Sequence, residues 1–470
     1  MKAVNDKALY YGDNLEVLRL HFPDASIDLI YLDPPFNSDA TYNVLFREQD
    51  GSRSASQIKA FGDTWRWDTA AAASFQDVVE SGGRVADTLR GLRTLLGDSD
   101  MLAYLSMMAP RLIEMRRVLK PTGSLYLHCD QTASAHLRIL MDSIFDTANF
   151  LNNVVWLHGL GGSSARYWPK KHDDILWYSR EPGQQYFEAP MVPARSNAMK
   201  DQMKKAPDWW DIPTINNMAK ERLGYPTQKP EALLERIIAS SCPEEGVVLD
   251  PFCGCGTTVV VAERLGRLWR GIDITYLAVS LMKYRLQREY GMQLGYSVVG
   301  EPVTPKDGAQ LAAEDPYQFQ FWSLGLVGAR PVEEKKGADK GVDGRLYFFD
   351  EGASAEAKQV IISVKAGKNI GVAMLRDLGH VVTREKAQLG VLISMTEPTA
   401  PMRAEAAGAG FYTSPVSGTR HPRLQILSIT DLMTGKGIDY PSSMGKNVSL
   451  ERTLAQKKSG SKDKEAERLF

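Results

Sequence analysis

An apolar run, Ile27-Asp28-Leu29-Ile30-Tyr31-Leu32, leads without a break into Asp33-Pro34-Pro35-Phe36. A short run of this kind, bounded by turn residues, reads as a buried strand. Two prolines remove ladder donors and fix φ, so the strand cannot continue past Leu32. A carboxylate, a proline carbonyl and an aromatic ring are thereby set together at the carboxyl end of a strand. In open α/β sheets that is the end at which ligands bind. A strand that merely stops in a Pro-rich turn would read the same way, so the rest of the chain has to decide.

The chemistry such a group suits is attack by an exocyclic amine. The lone pair of an adenine amino group is delocalised into the ring and is a poor nucleophile. If Asp33 and the Pro34 carbonyl accept its hydrogens, the nitrogen can pyramidalise and direct its lone pair outward. Phe36 offers a face on which a base swung out of a duplex can stack.

The 470 residues are 43% hydrophobic, enough for two or three domains with real cores. A net charge of −1 and a pI of about 6.7 give no global basic signal, so any nucleic-acid contact must come from local patches. Four cysteines, none in CxxC spacing, argue against a disulfide framework. Cys253-Gly254-Cys255 lacks a neighbouring Cys or His pair and reads poorly as a metal site. No run approaches the roughly 18 apolar residues of a membrane helix, and no leader-like segment opens the chain. The expectation is a soluble, cytoplasmic, nucleoid-associated protein.

Leu9-Tyr10-Tyr11 is a short strand ending in Gly12-Asp13-Asn14, and a helix follows. Asp13 either faces a ligand or caps that helix. Residues 38–100 are aromatic and polar and read as an insertion, in part helical, a candidate lid or DNA-facing element. A helix from Met101 to Leu119 is expected to end at Lys120-Pro121-Thr122-Gly123. A strand, Ser124 to Asp130, follows, with His128 and Cys129 as strand-end packing. Residues 181–222 lose all periodicity and hold Trp209-Trp210 among lysines, which fits a DNA-contacting loop or a solvated linker equally.

The strand Gly246 to Leu249 delivers Asp250-Pro251-Phe252-Cys253-Gly254-Cys255-Gly256-Thr257-Thr258. Glycines between strand and helix let backbone amides approach a ligand closely. The next strand ends at Asp273, and an acid about 20 residues beyond a Gly-rich turn commonly holds ribose hydroxyls. One strand end thus suits a ribose-bearing cofactor and another a planar amine.

With those motifs in place, residues 8 to about 290 resemble the amino-methylating DNA methyltransferases, in the permuted (beta) group where the catalytic motif precedes the cofactor motif. Asp33-Pro34-Pro35-Phe36 matches the catalytic tetrapeptide and Phe252-Cys253-Gly254-Cys255-Gly256 the cofactor loop. Tyr225 to Pro230 looks like the segment preceding that loop, and Gly12-Asp13-Asn14 like the strand end facing the cofactor adenine. The resemblance implies an α/β, Rossmann-like fold with a seven-stranded, mostly parallel sheet and S-adenosylmethionine as cofactor. It implies catalytic roles for Asp33, Pro34, Pro35 and Phe36, and cofactor contacts for Asp13, Lys229, Asp250, Phe252, Gly254, Gly256, Thr257 and Asp273. An Asp heading the tetrapeptide goes with adenine N6 and a Ser with cytosine N4. No proline precedes any cysteine, which argues against methylation at cytosine C5. The expected activity is adenine-specific DNA methylation in a restriction-modification or defence setting. Cytosine-N4 methylation, or a catalytically weak DNA-binding effector, stands as the alternative.

The first domain is assigned to residues 1–295 and a linker to 296–314. Residues 315–435 resemble an Mrr-type restriction endonuclease domain of the PD-(D/E)xK superfamily, a second, smaller α/β unit. Asp343 matches its metal-binding aspartate and Lys365 its catalytic lysine, which implies Mg²⁺. Ser363 stands where Glu or Gln is usual, and a hydroxyl is a weaker ligand for a hard cation. Residues 436–470 are expected to be a flexible tail. Double-stranded DNA is the expected partner, with a homodimer as a further expectation and no membrane.

Overall fold

The computed structural model describes residues 7–35, 66–159, 163–194, 202–216, 227–291, 293–332, 341–350, 357–367 and 369–441, with positions 219, 221–223 and 225. Phe36, and most of the stretch before Thr69 expected as part of an insertion, lie outside them.

In chain order the first unit holds strands β1 (Ala8–Tyr11), β2 (Ile27–Leu32), β3 (Leu119–Cys129), β4 (Phe150–Leu157), β5 (His172–Ser179), β6 (Met191–Pro193), β7 (Met203–Lys205), β8 (Trp209–Trp210), β9 (Val247–Asp250), β10 (Leu268–Asp273) and β11 (Ser297–Val299). β6 and β7 pair only with each other, and the rest form one sheet, ordered β11-β1-β10-β9-β2-β3-β5-β4-β8. From β11 to β3 every pairing is parallel; β5 runs antiparallel to both β3 and β4. The sheet therefore has nine strands among the described residues rather than seven. The additions are edges: β11 pairs with β1, and Trp209–Trp210 pair with the end of β4.

β2 is buried at every position, as a strand with helices on both faces must be. Ile30 and Leu32 join one core with the helices Thr69–Glu80, Gly83–Leu96, Asp100–Val118 and Ser134–Phe145. Leu29 and Tyr31 join the other, with the helices Glu231–Ser241, Thr257–Arg264 and Tyr276–Tyr290. The one charge in β2, Asp28, is satisfied by the Lys120 ammonium and the Val247 amide, each at 2.8 Å.

Several expectations need correction here. The helices at Thr69–Glu80 and Gly83–Leu96 bury Phe75, Val78, Leu89 and Leu92 in the core, so they are scaffold and not a lid. Lys120 to Gly123 do not end a helix but lie within β3, because residue 119 already pairs with Ile27 of β2. Trp210 is buried within the sheet edge, and the Trp156 indole donates to the Ile212 carbonyl at 2.8 Å, so the tryptophan pair does not form a free loop.

The second unit holds β12 (Arg330–Pro331), β13 (Gly344–Phe348), β14 (Lys358–Lys365), β15 (Leu389–Ser394), β16 (Phe411–Thr413), β17 (Arg420–Pro422) and β18 (Leu424–Ser428). Its sheet is ordered β12-β13-β14-β15-β18, antiparallel as far as β14 and parallel beyond it.

The segment expected as a linker is structured. It contributes β11 to the first sheet and a helix, Pro305–Glu314, whose N-terminus is closed by a capping box between Thr304 and Asp307. The two units share a core. Tyr276 and Leu277 cluster with Phe319, Trp322 and Leu324 of the helix Pro316–Leu326. The Tyr276 amide donates to Gln318 Oε1 at 3.2 Å, and Tyr11 stacks on the Tyr276 ring at 3.6 Å. At Gly325 any Cβ would stand 2.2 Å from Ser280 Oγ, so only glycine permits this approach. Of the stretch expected as a tail, residues 436–441 are described and packed: Tyr440 lies against Phe348, and Asp439 Oδ1 lies 2.7 Å from His421 Nδ1.

Candidate active site

Parallel pairing fixes where the functional groups meet. β2 lies beside β9, β9 beside β10 and β10 beside β1, all running the same way, so Asp33, Asp250, Asp273 and Asp13 gather at one sheet edge.

On the catalytic side, Pro34 is buried and Asp33 half-buried. Asp33 Oδ2 accepts from Lys229 Nζ at 2.5 Å, with the side chains only 16% and 15% exposed. Lys229, expected at the cofactor, instead pairs with Asp33, the acid expected to be catalytic. Behind them, Tyr31 Oη lies 3.0 Å from His128 Nδ1, and His128 Nε2 lies 3.1 Å from Asp173 Oδ2. Burial, with the carboxylates of Asp33, Asp250 and Asp173 nearby, holds the Tyr31 phenol well above its usual range. Burial pushes Asp173 up, but its bond to His128 and the charges of His128 and Lys229 outweigh that and lower it. Burial in turn lowers His158, whose Nε2 stands 3.6 Å from the same carboxylate. Sequence reasoning read His128 as packing and did not find Asp173; only the pairing of Cys129 with Asp174 brings these residues together.

On the cofactor side, the loop after β9 is held by its own acids. Asp250 Oδ1 accepts the Phe252 amide at 3.0 Å and Oδ2 the Thr258 hydroxyl at 2.5 Å. Asp273 Oδ2 accepts the Gly254 amide at 2.9 Å, and Oδ1 accepts the amide and hydroxyl of Thr275. Gly254 (φ 51°) and Gly256 (φ 76°) are left-handed, and a Cβ on Gly256 would stand 2.7 Å from Met282 Cγ. Phe252 packs against the core beneath the loop. Thr257 is buried, its hydroxyl 3.2 Å from the buried Arg285 guanidinium and 3.5 Å from Cys255 Sγ of the loop.

Asp13 caps the helix, and its second oxygen is taken by a distant arginine. Oδ1 caps the helix Asn14–His21 by accepting the Leu15 amide at 2.9 Å, and Oδ2 pairs with Arg111. The Asn14 amide donates to the Pro251 carbonyl at 2.9 Å, tying the end of β1 to the cofactor loop. Arg111 was not legible as a neighbour of Asp13, since it sits on a distant helix.

Burial is the main cause of the high proton affinities here. It raises Asp250 to about 7 and Asp273 to about 6, with Asp33 and Asp273 adding to the rise at Asp250. Raised carboxylates are penalised when ionised, so this contribution to stability is complete below about pH 4 and is lost as pH rises toward 6 to 7. Ligand hydroxyls require the opposite state, an ionised Asp273 able to accept. Cofactor affinity is therefore expected to weaken as pH falls through about 6, and Asp273→Asn should flatten that dependence. Calorimetric titrations from pH 5 to 8 check it; an unchanged slope in the variant contradicts the assignment.

In the second unit, Asp343 precedes β13 and Lys365 ends β14. Asp343 Oδ2 accepts the Val364 amide at 2.6 Å and the Ser363 hydroxyl at 3.1 Å, with Lys365 Nζ 3.9 Å away. A hard divalent cation wants about six oxygens, several of them charged. Among the described residues no group of three or more acids, histidines or cysteines exists there, and the one carboxylate is already engaged by backbone. These residues do not fit a resident Mg²⁺.

A family model described as DNA methylase matches residues 27–283, more than half the chain, and a restriction endonuclease model matches residues 312–414. The chain belongs to the DNA methylase family. This methylase is 32% identical to the type II methyltransferase M.HpaI of Haemophilus parainfluenzae, over 40% of its own length and 60% of that relative's. It is 26% identical to the type II methyltransferase M.ScaI of Streptomyces caespitosus, over 61% of its length and 83% of the relative's. A solved structure titled PvuII DNA methyltransferase (cytosine-N4-specific) superimposes over 63% of this chain and 96% of that one, with 16% identity and a TM-score of 0.40. Among the described residues no helix is long and apolar enough to cross a membrane.

Proposed function

We propose that this methylase transfers the methyl group of S-adenosylmethionine to N6 of adenine in double-stranded DNA, as the modifying half of a restriction-modification system. The observation that carries the reading is the placement of Asp33 one strand from the glycine loop, with both facing the same sheet edge. Gly254, Gly256, Asp273 and the Asp13 cap would hold the cofactor, which supplies an electrophilic methyl on a sulfonium. Asp33 and the Pro34 carbonyl accept the amine hydrogens and free the nitrogen lone pair for attack. The Lys229 ammonium keeps the Asp33 carboxylate oriented until the amine competes for it. The His128–Asp173 pair, anchored through Tyr31, stiffens the strand end behind Asp33. Adenine is favoured over cytosine N4 by the Asp heading the tetrapeptide. Incubation with labelled cofactor and mixed DNA, followed by digestion to nucleosides, tests it. N6-methyladenine is expected; N4-methylcytosine alone would move the assignment to the other base, and no product on any DNA would favour a binding protein.

For the fused restriction endonuclease domain we infer a DNA-holding role without hydrolysis, because Asp343 is spent on Ser363 and Val364 and lacks a second carboxylate beside it among the described residues. Unmethylated and methylated DNA are both expected to stay intact in Mg²⁺ or Mn²⁺, with Lys365→Ala weakening DNA binding only. Cutting that disappears in Lys365→Ala would overturn this.

A further inference from the structure

We propose that residues 163–171, between β4 and β5, form the arm that grips duplex DNA, with Trp168 as a wedge entering the base stack beside the extruded base; this rests on the reading that the substrate is a base in duplex DNA. Strand register places the arm. Leu32 of β2 is level with Leu127, Cys129 with Asp174, and Leu157 with His172, so β4 ends and β5 begins at the edge that carries Asp33. The arm is closed at its base, where the Gly159 amide donates to the Lys171 carbonyl and Lys171 Nζ to the Gly159 carbonyl, each at 3.4 Å. Its flanking residues His158 and Asp173 face each other and both lie within the field of Lys229, the partner of Asp33. The arm therefore stands next to the reacting groups.

Its composition suits a polyanion with stacked bases. Arg166, Lys170 and Lys171 provide three cations, and no acid occurs between His158 and Asp173 in a chain of net charge −1. Trp168 is 95% exposed and Tyr167 71%, and Trp168 is the most exposed large hydrophobic residue among those described. Folding gives no reason to leave an indole in water; the other tryptophan pair, at 209 and 210, is held in the sheet. Pro169 biases Trp168 to an extended backbone, which keeps the indole projecting. Extruding a base leaves a gap in the stack, and proteins that open a base step commonly fill it with an apolar side chain while cations track the phosphates.

The test uses the full chain and a duplex carrying a site mapped from its own methylation products, paired normally or with the target base mismatched. Stacking of an aromatic on a base corresponds to roughly five- to 150-fold. Trp168→Ala is expected to lower kcat/KM on the paired duplex by that range, to recover most of the loss on the mismatched duplex, and to leave the cofactor Kd unchanged. Trp168→Phe should keep most of the activity. An equal loss on both duplexes, no loss at all, or a changed oligomeric state with intact activity would overturn the wedge. A wild-type chain that methylates neither duplex would instead remove the parent reading.

Discussion

Asp33→Ala should lose methyl transfer by at least ~10²–10³-fold, the range for removal of one preorganised polar partner of a reacting group. Its cofactor affinity should change only a few-fold. On the proposed reading the two functions are divided between neighbouring strand ends. Asp33 closes β2 and bonds to Lys229, while the cofactor loop is held by Asp250 and Asp273 after β9 and β10. Loss of the carboxylate leaves the Lys229 ammonium, 15% exposed, without this counter-charge. Asp33→Asn is the sharper variant, because it keeps the shape and one acceptor oxygen but removes the charge. Both are to be measured by single-turnover transfer and by calorimetry with the cofactor. A variant that loses cofactor as completely as activity would contradict the division of labour.

Deletion of residues 304–470 should yield a methylase that is unstable or aggregates, and the full chain should melt in one transition. Two modular domains on a string would behave otherwise, each melting alone. Here Tyr276 and Leu277 belong to the same cluster as Phe319 and Trp322, and Gln318 satisfies the first amide of the helix that follows Asp273 and Thr275. Re-exposing a buried side chain of this size costs about 1.5–3 kcal/mol. A native domain has only about 5–15 kcal/mol in total. The unsatisfied Tyr276 amide would add about 1–3 kcal/mol where it remains buried. Gly325→Val, which forces a Cβ into Ser280, should lower the melting temperature of the whole chain without touching a catalytic group. Two separated calorimetric transitions, or a soluble truncated form with wild-type cofactor affinity, would show that the shared core is dispensable.

Strand ends were legible in the sequence where side-chain chemistry stops a strand. Pro34 and Pro35 end β2 in any context, and glycines at 254 and 256 mark a left-handed turn that no other residue adopts cheaply. The apolar runs before them needed helices on both faces, so a parallel sheet followed from pattern alone. The neighbours of those strand ends were not legible, because they are joined by register and not by spacing. Lys229 reaches Asp33 across 196 positions and Arg111 reaches Asp13 across 98. The acid that orients His128 sits on an antiparallel strand whose pairing no local signal announces.

The sequence by itself determined the motif order, the two α/β units and the acids at the sheet edge, since each rests on the preferences of single residues and short runs. Tertiary structure alone decided that Lys229 pairs with Asp33, that Asp343 Oδ2 accepts from its own β14, and that the expected linker is a strand and a capped helix in a shared interface. Those outcomes depend on which buried polar groups lie within hydrogen-bond reach, and that is fixed only once the strands are in register.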